Sequence, residues 1–183
     1  RIPEGSAPNF KNKSWAIAAE VTIPDNGANG VLATIGGRFG GWGLMLRNSK
    51  PEFHYALSNQ PEHKFRIVSD QPVPAGNHVV RVAFKYDGGG IGKGATAVLF
   101  VDGKEVGQGR IPQTVPIRFS LDETFDIAED TGTPVVEDYV EQMPCRFTGT
   151  LKKFVVILEP EKLTEKERQQ LHLEEARASM SAH

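Results

Sequence analysis

The feature that most constrains this chain is an alternation of apolar and polar side chains along Trp15–Ile23. Trp15, Ile17, Ala19, Val21 and Ile23 occupy every second position, so an extended strand lays all five on one face, and Pro24-Asp25-Asn26-Gly27 ends it. The same period returns over 77–86, with Val80, Val82, Phe84 and Tyr86 facing one way and Arg81 and Lys85 the other. Shorter extended runs are expected at 31–35, 42–47, 52–57, 65–68 and 96–101. Asn48-Ser49-Lys50-Pro51 marks one hairpin, and Asp102-Gly103 marks a second from which Lys104-Glu105-Val106 returns. In the first hairpin Phe53, Tyr55 and Leu57 share a face opposite Glu52 and His54. Gly36-Gly37-Arg38-Phe39-Gly40-Gly41 is expected to break regular structure. The segment 110–119, interrupted by Pro112 and Pro116, is expected as an edge strand, and the continuously apolar 154–158 as a strand buried on both faces.

Strands at this spacing, in a 183-residue chain with 19 Gly and 12 Pro, predict an all-β sandwich of two antiparallel sheets spanning 1–159. Helical character enters only after Pro160. Thr164-Glu165-Lys166-Glu167 is a capping box, because the Thr hydroxyl and the second Glu carboxylate each satisfy the other's backbone N–H. A helix over about 165–178 follows, within a tail at 160–183. Its apolar stripe is thin (Leu171, Ala176 and Met180, with Leu173 to one side), so it needs a surface to dock on. Residues 1–13 read as an incoming linker or edge segment. A chain opening on Arg1 with no visible signal peptide reads as a processed product or, the preferred reading, an excised segment of a longer protein, and its compartment stays open.

Several function classes are excluded. A formal net charge of −2 gives no broad basic surface for nucleic acid. No apolar run approaches the roughly 20 residues that span a bilayer. The single cysteine, Cys145, excludes an intrachain disulfide and a Cys-only metal cluster, and is expected to be buried and inert. The five histidines lack His-x-x-x-His spacing, and no Gly-x-Ser-x-Gly elbow is present. The glycine run 88–94 is no phosphate loop. Asp87 stands where its first Gly belongs, Gly94 replaces the Ser or Thr after Lys93, and a strand follows instead of a helix.

Two groups of residues remain as candidates. Asp122, Glu123, Asp126, Glu129, Asp130, Glu137, Asp138 and Glu141 follow one another with no Lys or Arg between them. The expected reading is a solvated loop or one that salt-bridges a partner; a cation site and a glycosidase-type carboxylate pair are the alternatives. Arg38, Phe39, Trp42, His54 and Tyr55 form the second group. They read as a sugar-binding face, with rings stacking on sugar C–H surfaces while Arg and His donate hydrogen bonds, or else Trp42 and Tyr55 are core. No catalytic and no metal-ligating residue is assigned.

Gly30-Val31-Leu32, the segment 36–44, Val101-Asp102-Gly103-Lys104-Glu105-Val106 and Phe147-Thr148-Gly149-Thr150-Leu151 resemble the laminin-G and concanavalin-A-like jelly rolls. A more specific resemblance runs from Arg1 to about residue 158. The segment 1–14, Gly37-Arg38-Phe39-Gly40-Gly41, Phe84-Lys85-Tyr86-Asp87-Gly88, Asp122-Glu123-Thr124-Phe125-Asp126 and Asp130-Thr131-Gly132-Thr133-Pro134-Val135 resemble the C-terminal extension of large bacterial arylsulfatases. That resemblance implies a parent that hydrolyses sulfate esters through a formylglycine made from Cys/Ser-x-Pro-x-Arg, with a calcium ion in its catalytic domain. Cys145-Arg146-Phe147 lacks that motif, so no catalytic residue and no cofactor carry over to this chain. The implied role is a non-catalytic module that packs on the sulfatase catalytic domain in cis or helps assemble subunits, including a homo-oligomer. The alternative is a lectin-like module that binds glycans. Arg38, Phe39, Trp42, His54, Asp126 and Asp130 are the ligand or interface candidates, with the tail helix as a further contact surface.

Overall fold

A computed structural model describes residues 1–120, 123–143 and 145–181. Asp122 of the acidic run and His183 lie outside the described residues. Eleven strands form two antiparallel sheets. In chain order they are β1 (Ile2–Pro3), β2 (Trp15–Ile23), β3 (Gly30–Gly37), β4 (Gly40–Arg47), β5 (Lys50–Ala56), β6 (Lys64–Val68), β7 (Gly76–Tyr86), β8 (Ala95–Val101), β9 (Lys104–Ile111), β10 (Thr124–Ile127) and β11 (Thr150–Leu158). The six-stranded sheet runs β1-β10-β3-β4-β5-β6, and the five-stranded sheet runs β11-β2-β7-β8-β9. One helix, α1 (Glu165–Ser181), follows β11. The fold is the expected all-β jelly-roll sandwich with a C-terminal helix.

The alternating strands place their apolar sets between the sheets. Trp15 stacks at 4.8 Å on Trp42 from the opposite sheet and at 4.8 Å on Phe84 from the neighbouring strand, while Phe10 meets both indoles edge-on. Phe53, Phe125, Tyr55 and Phe119 extend this aromatic core. Two turns fit the hairpin rule: Asn48 and Ser49 both take positive φ, as do Asp102 and Gly103, which matches strand twist in a two-residue loop. Lys50 and Pro51 therefore already belong to β5, where a longer turn was expected.

Three expectations are corrected. Gly36 to Gly41 does not interrupt the sheet. β3 and β4 run through the glycines and only Arg38 and Phe39 form the turn; a side chain at Gly40 or Gly41 would collide with the backbone of Phe119 or Ile35. Residues 112–119 form no strand, and the edge strand is β9, which ends at Ile111 and lies against β6 to close one side of the sandwich. β11 is not buried on both faces. It is the outermost strand of its sheet, with Ile157 52% and Leu158 40% exposed.

The capping box forms as expected: the Thr164 N–H donates to Glu167 Oε2 at 2.7 Å and the Glu167 N–H donates to Thr164 Oγ1 at 3.3 Å. Of the helix's apolar residues Leu171 is buried, whereas Leu173 and Met180 are exposed. No helix among the described residues is long and apolar enough to cross a membrane.

Candidate functional site

β5 buries residues on both of its faces. Phe53 and Tyr55 enter the aromatic core, while Glu52 and His54 point to the outer side of the six-stranded sheet and are also buried. Their shelter is a strap, residues 128–143 and 145–147, which runs back across that outer face. Val31 and Met45 of the sheet pack there against Tyr139 and Cys145 of the crossing segment. It is fastened by paired backbone bonds between Asp130 and Cys145, and by a bridge from Arg146 to Val31. Gly30, with φ of +106°, sits beneath Arg146, where a side chain would strike the Arg146 carbonyl.

Under this strap lies a charged network. Glu52 accepts hydrogen bonds from His54 Nε2 at 2.8 Å and from Arg66 Nη2 at 2.7 Å, and Arg47 approaches at 3.8 Å. Burial alone would raise the Glu52 carboxyl, but these donors outweigh it and hold its pKa at about 2. Burial pushes the His54 pKa down against the pull of Glu52, whose carboxylate lies 2.8 Å from His54 Nε2. Arg47 also donates to Asp138 of the strap at 3.0 Å. Beside them His54, Asn59, Lys64, Arg66, Glu137 and Asp138 line a cleft of about 330 Å³.

The acidic run is only partly a solvated loop. Asp126 is buried and accepts from Thr124 and Thr131 hydroxyls at 2.7 and 2.6 Å and from the Thr131 N–H at 3.1 Å. Burial works to raise its pKa, and these donors leave it lowered. Asp130, also buried, accepts from the Tyr139 hydroxyl at 2.7 Å and the Gly132 N–H at 3.1 Å. Its burial wins, aided by the charges of Asp126 and Glu123, and raises its pKa to about 6. Glu129 and Glu137 meet Arg146, Arg38 and Lys64 of the same chain. Asp138 and Glu137 thus reach from the strap to Arg47, Arg38 and Lys64, while Glu129 and Asp130 are engaged within the strap itself. Among the described residues no three His, Cys, Asp or Glu side chains gather as a metal set.

The six candidates divide. Arg38 and Phe39 form the exposed tip of the β3–β4 hairpin, the guanidinium lying 5.1 Å over the ring. Trp42 is fully buried between the sheets, and Tyr55 is core with its hydroxyl accepting from the Val115 N–H at 2.8 Å. The aromatic sugar platform is therefore corrected: these rings present no face to a ligand. His54 and Asp126 lie in one row across the outer face, through the pairs Asp126↔Thr34, Thr34↔Gly43 and Gly43↔His54. Three strand steps of roughly 4.8 Å hold them about 14 Å apart, so they do not act as one pair. Asp126 and Asp130 are close enough to couple. Cys145 is buried, and its burial raises its pKa, as expected of an inert thiol.

Sequence reading missed Arg47, Lys64, Arg66 and Tyr139. A signal existed for Arg66. Glu52 and His54 on the non-core face of a strand require cations from a neighbour, and Arg66 faces outward on the next strand.

No protein-family profile matches this chain, and no curated protein is similar to it in sequence. Solved structures are similar in fold. Domains LG4-5 of the mouse laminin α1 chain share 14% identity at a TM-score of 0.53, covering 83% of this chain and 38% of that one. The receptor binding domain of botulinum neurotoxin C/D mosaic serotype shares 12% at 0.51, covering 90% and 36%. The CBM40 of Ruminococcus gnavus IT-sialidase, bound to α2,3 sialyllactose, shares 12% at 0.49, covering 89% and 83%. The laminin and neurotoxin likenesses show a laminin-G-like jelly roll. This chain spans well under half the length of those two chains.

Proposed function

We propose that this chain is a non-catalytic accessory module of a larger protein, and that the parent is a sulfuric ester hydrolase of the bacterial arylsulfatase type. The parent rests on the ordered sequence segments quoted above. The accessory role rests on one observation: the outer face of the five-stranded sheet exposes two large apolar side chains, Val79 and Ile157. Ala16, Ala18, Ala83, Val98 and Val155 share that face by strand register, Ala16, Ala83 and Val98 being buried, and the charged Glu20, Arg81, Lys85 and Lys153 stand among them. A surface of this kind marks a contact with another protein part more often than a catalytic centre. The occupant proposed is the catalytic part of the same parent chain.

This face is preferred to the acidic run as the contact region, because Asp126 and Asp130 are already engaged within this chain. Two measurements test the reading. The coding DNA upstream of the Arg1 codon should run in frame to a Cys/Ser-x-Pro-x-Arg motif; a start codon directly upstream would overturn the sulfatase parent. In the full-length parent, Ala18→Arg with Ile157→Glu should speed proteolytic release of the module while leaving its own fold intact. Unaltered release would overturn the docking face.

A further inference from the structure

The cations on the outer face of the six-stranded sheet are unequally used. Arg47 and Arg66 donate to carboxylates at 3.0 and 2.7 Å. Arg38 and Lys64 do not. They approach a single atom, Glu137 Oε1, at 3.6 and 3.8 Å, too far for a hydrogen bond. Arg38 Nε is moreover buried with no partner, although an unmade buried donor is costly. Glu137 is itself 59% exposed, and exposed ion pairs of this kind contribute little. It lies on the strap, not on the sheet, at the mouth of the 330 Å³ cleft that Lys64, Arg66, His54 and Asn59 also line. That volume is at the small end of ligand-binding sites.

We propose that this cleft binds the oxyanion group, carboxylate or sulfate, of a small polar ligand, and that Glu137 is a weak internal stand-in which the ligand displaces. A bidentate oxyanion would reach Arg38 and Lys64 together, supplying the short charge-assisted bonds that Glu137 fails to make. Asn59 at the cleft wall offers an amide to the neutral part of the ligand. The inference is independent of the sulfatase parent and of the docking face, which lies on the other sheet.

The test is a two-dimensional NMR titration of the ¹⁵N-labelled chain at low salt with sodium sulfate, sodium glucuronate and, as neutral control, glucose. Shifts should localise to β6, the 38–39 turn and the strap. Glu137→Ala should tighten binding by up to about fivefold, the factor expected when a weakly held closed form that competes for the two cations is removed. Arg38→Ala and Lys64→Ala, both at solvent-accessible positions, should each abolish it in that background. Response to one anion alone would assign the oxyanion as sulfate or carboxylate and still support the site. No saturable shift in Glu137→Ala with either anion would overturn the proposal. So would shifts that survive Lys64→Ala, or glucose binding as tightly as glucuronate.

Discussion

Along β3, β4 and β5 nearly every residue is buried, whereas β2 and β7 alternate buried residues with half-buried or exposed ones. Both sheets give one face to the same aromatic core. They differ in what covers the other face: a strap of the chain's own residues on the six-stranded sheet, and no such crossing segment among the described residues on the five-stranded one, whose outward residues range from buried (Ala16, Ala83, Val98) to exposed (Glu20, Val79, Lys85). Double burial here is not achieved with continuous apolar sequence. It uses glycines that let a second layer approach, and a buried carboxylate whose donors are all supplied locally. The comparison teaches that a covered sheet face in this fold needs polar residues whose hydrogen bonds close among themselves, while an uncovered face tolerates small apolar ones.

The largest test of the contrast is Trp42→Ala. Removing the ring that stacks on Trp15 across the sheets should cost about 3–5 kcal/mol in urea unfolding. Next comes the outer layer. Glu52→Ala strands the buried His54 donor and frees Arg66, so unfolding stability should drop by about 1–3 kcal/mol. A loss within 0.5 kcal/mol would show that the layer under the strap is wet and the two sheets alike after all.

Titration sharpens the same point, because the two buried acids act in opposite directions. Glu52 has a folded pKa of about 2 against an ordinary 4.5, so its stabilisation is complete above about pH 4.5 and is lost as pH falls toward 2. Asp130 has a folded pKa of about 6 against an ordinary 3.8. Its protonated form favours folding, and that contribution is present below pH 3.8 and is lost as pH rises through 6. Asp130→Asn should therefore flatten the decline in stability between pH 4 and 6 while leaving the acid limb below pH 4 in place. An unchanged profile would move the titration to another group. Smallest of all, Ile157→Ser on the open face should alter the isolated chain's stability by less than about 0.5 kcal/mol.

The half-buried sheet was legible in the sequence and the doubly buried one was not, for the same physical reason. Alternation encodes one wet and one dry face, so Trp15 to Ile23 and Val80 to Tyr86 announced both their strand and their inward set. At 154–158 a continuous apolar run suggested two dry faces, yet Val155 and Ile157 lie on the open outer face of the outermost strand. The strands that are dry on both sides carry Gly36, Gly37, Gly40 and Gly41, which read as a break. Their second cover comes from residues about a hundred positions later, and no local pattern encodes that. The candidate site was legible to the extent that Glu52 and His54 were set opposite the core-facing Phe53. Asp126 and Asp130 were found by charge, but the partners that hold them, Thr131, Gly132 and Tyr139, depend on the strap's turn.

The position of β2 has a consequence for how the molecule comes into being. Its two neighbours are β7 and β11, and Trp15 pairs with Phe84 on one side and Leu158 on the other. Within this module β2, the first of its long strands to be made, must wait until β11, about 130 residues later, for its second partner. β1 waits almost as long for Phe125. Such distant closures slow folding and leave strand edges bare in the interim. On β11 the backbone irregularity between Leu151 and Lys153, and the paired charges Lys152 and Lys153 at that point, protect the finished edge from pairing with a neighbouring copy.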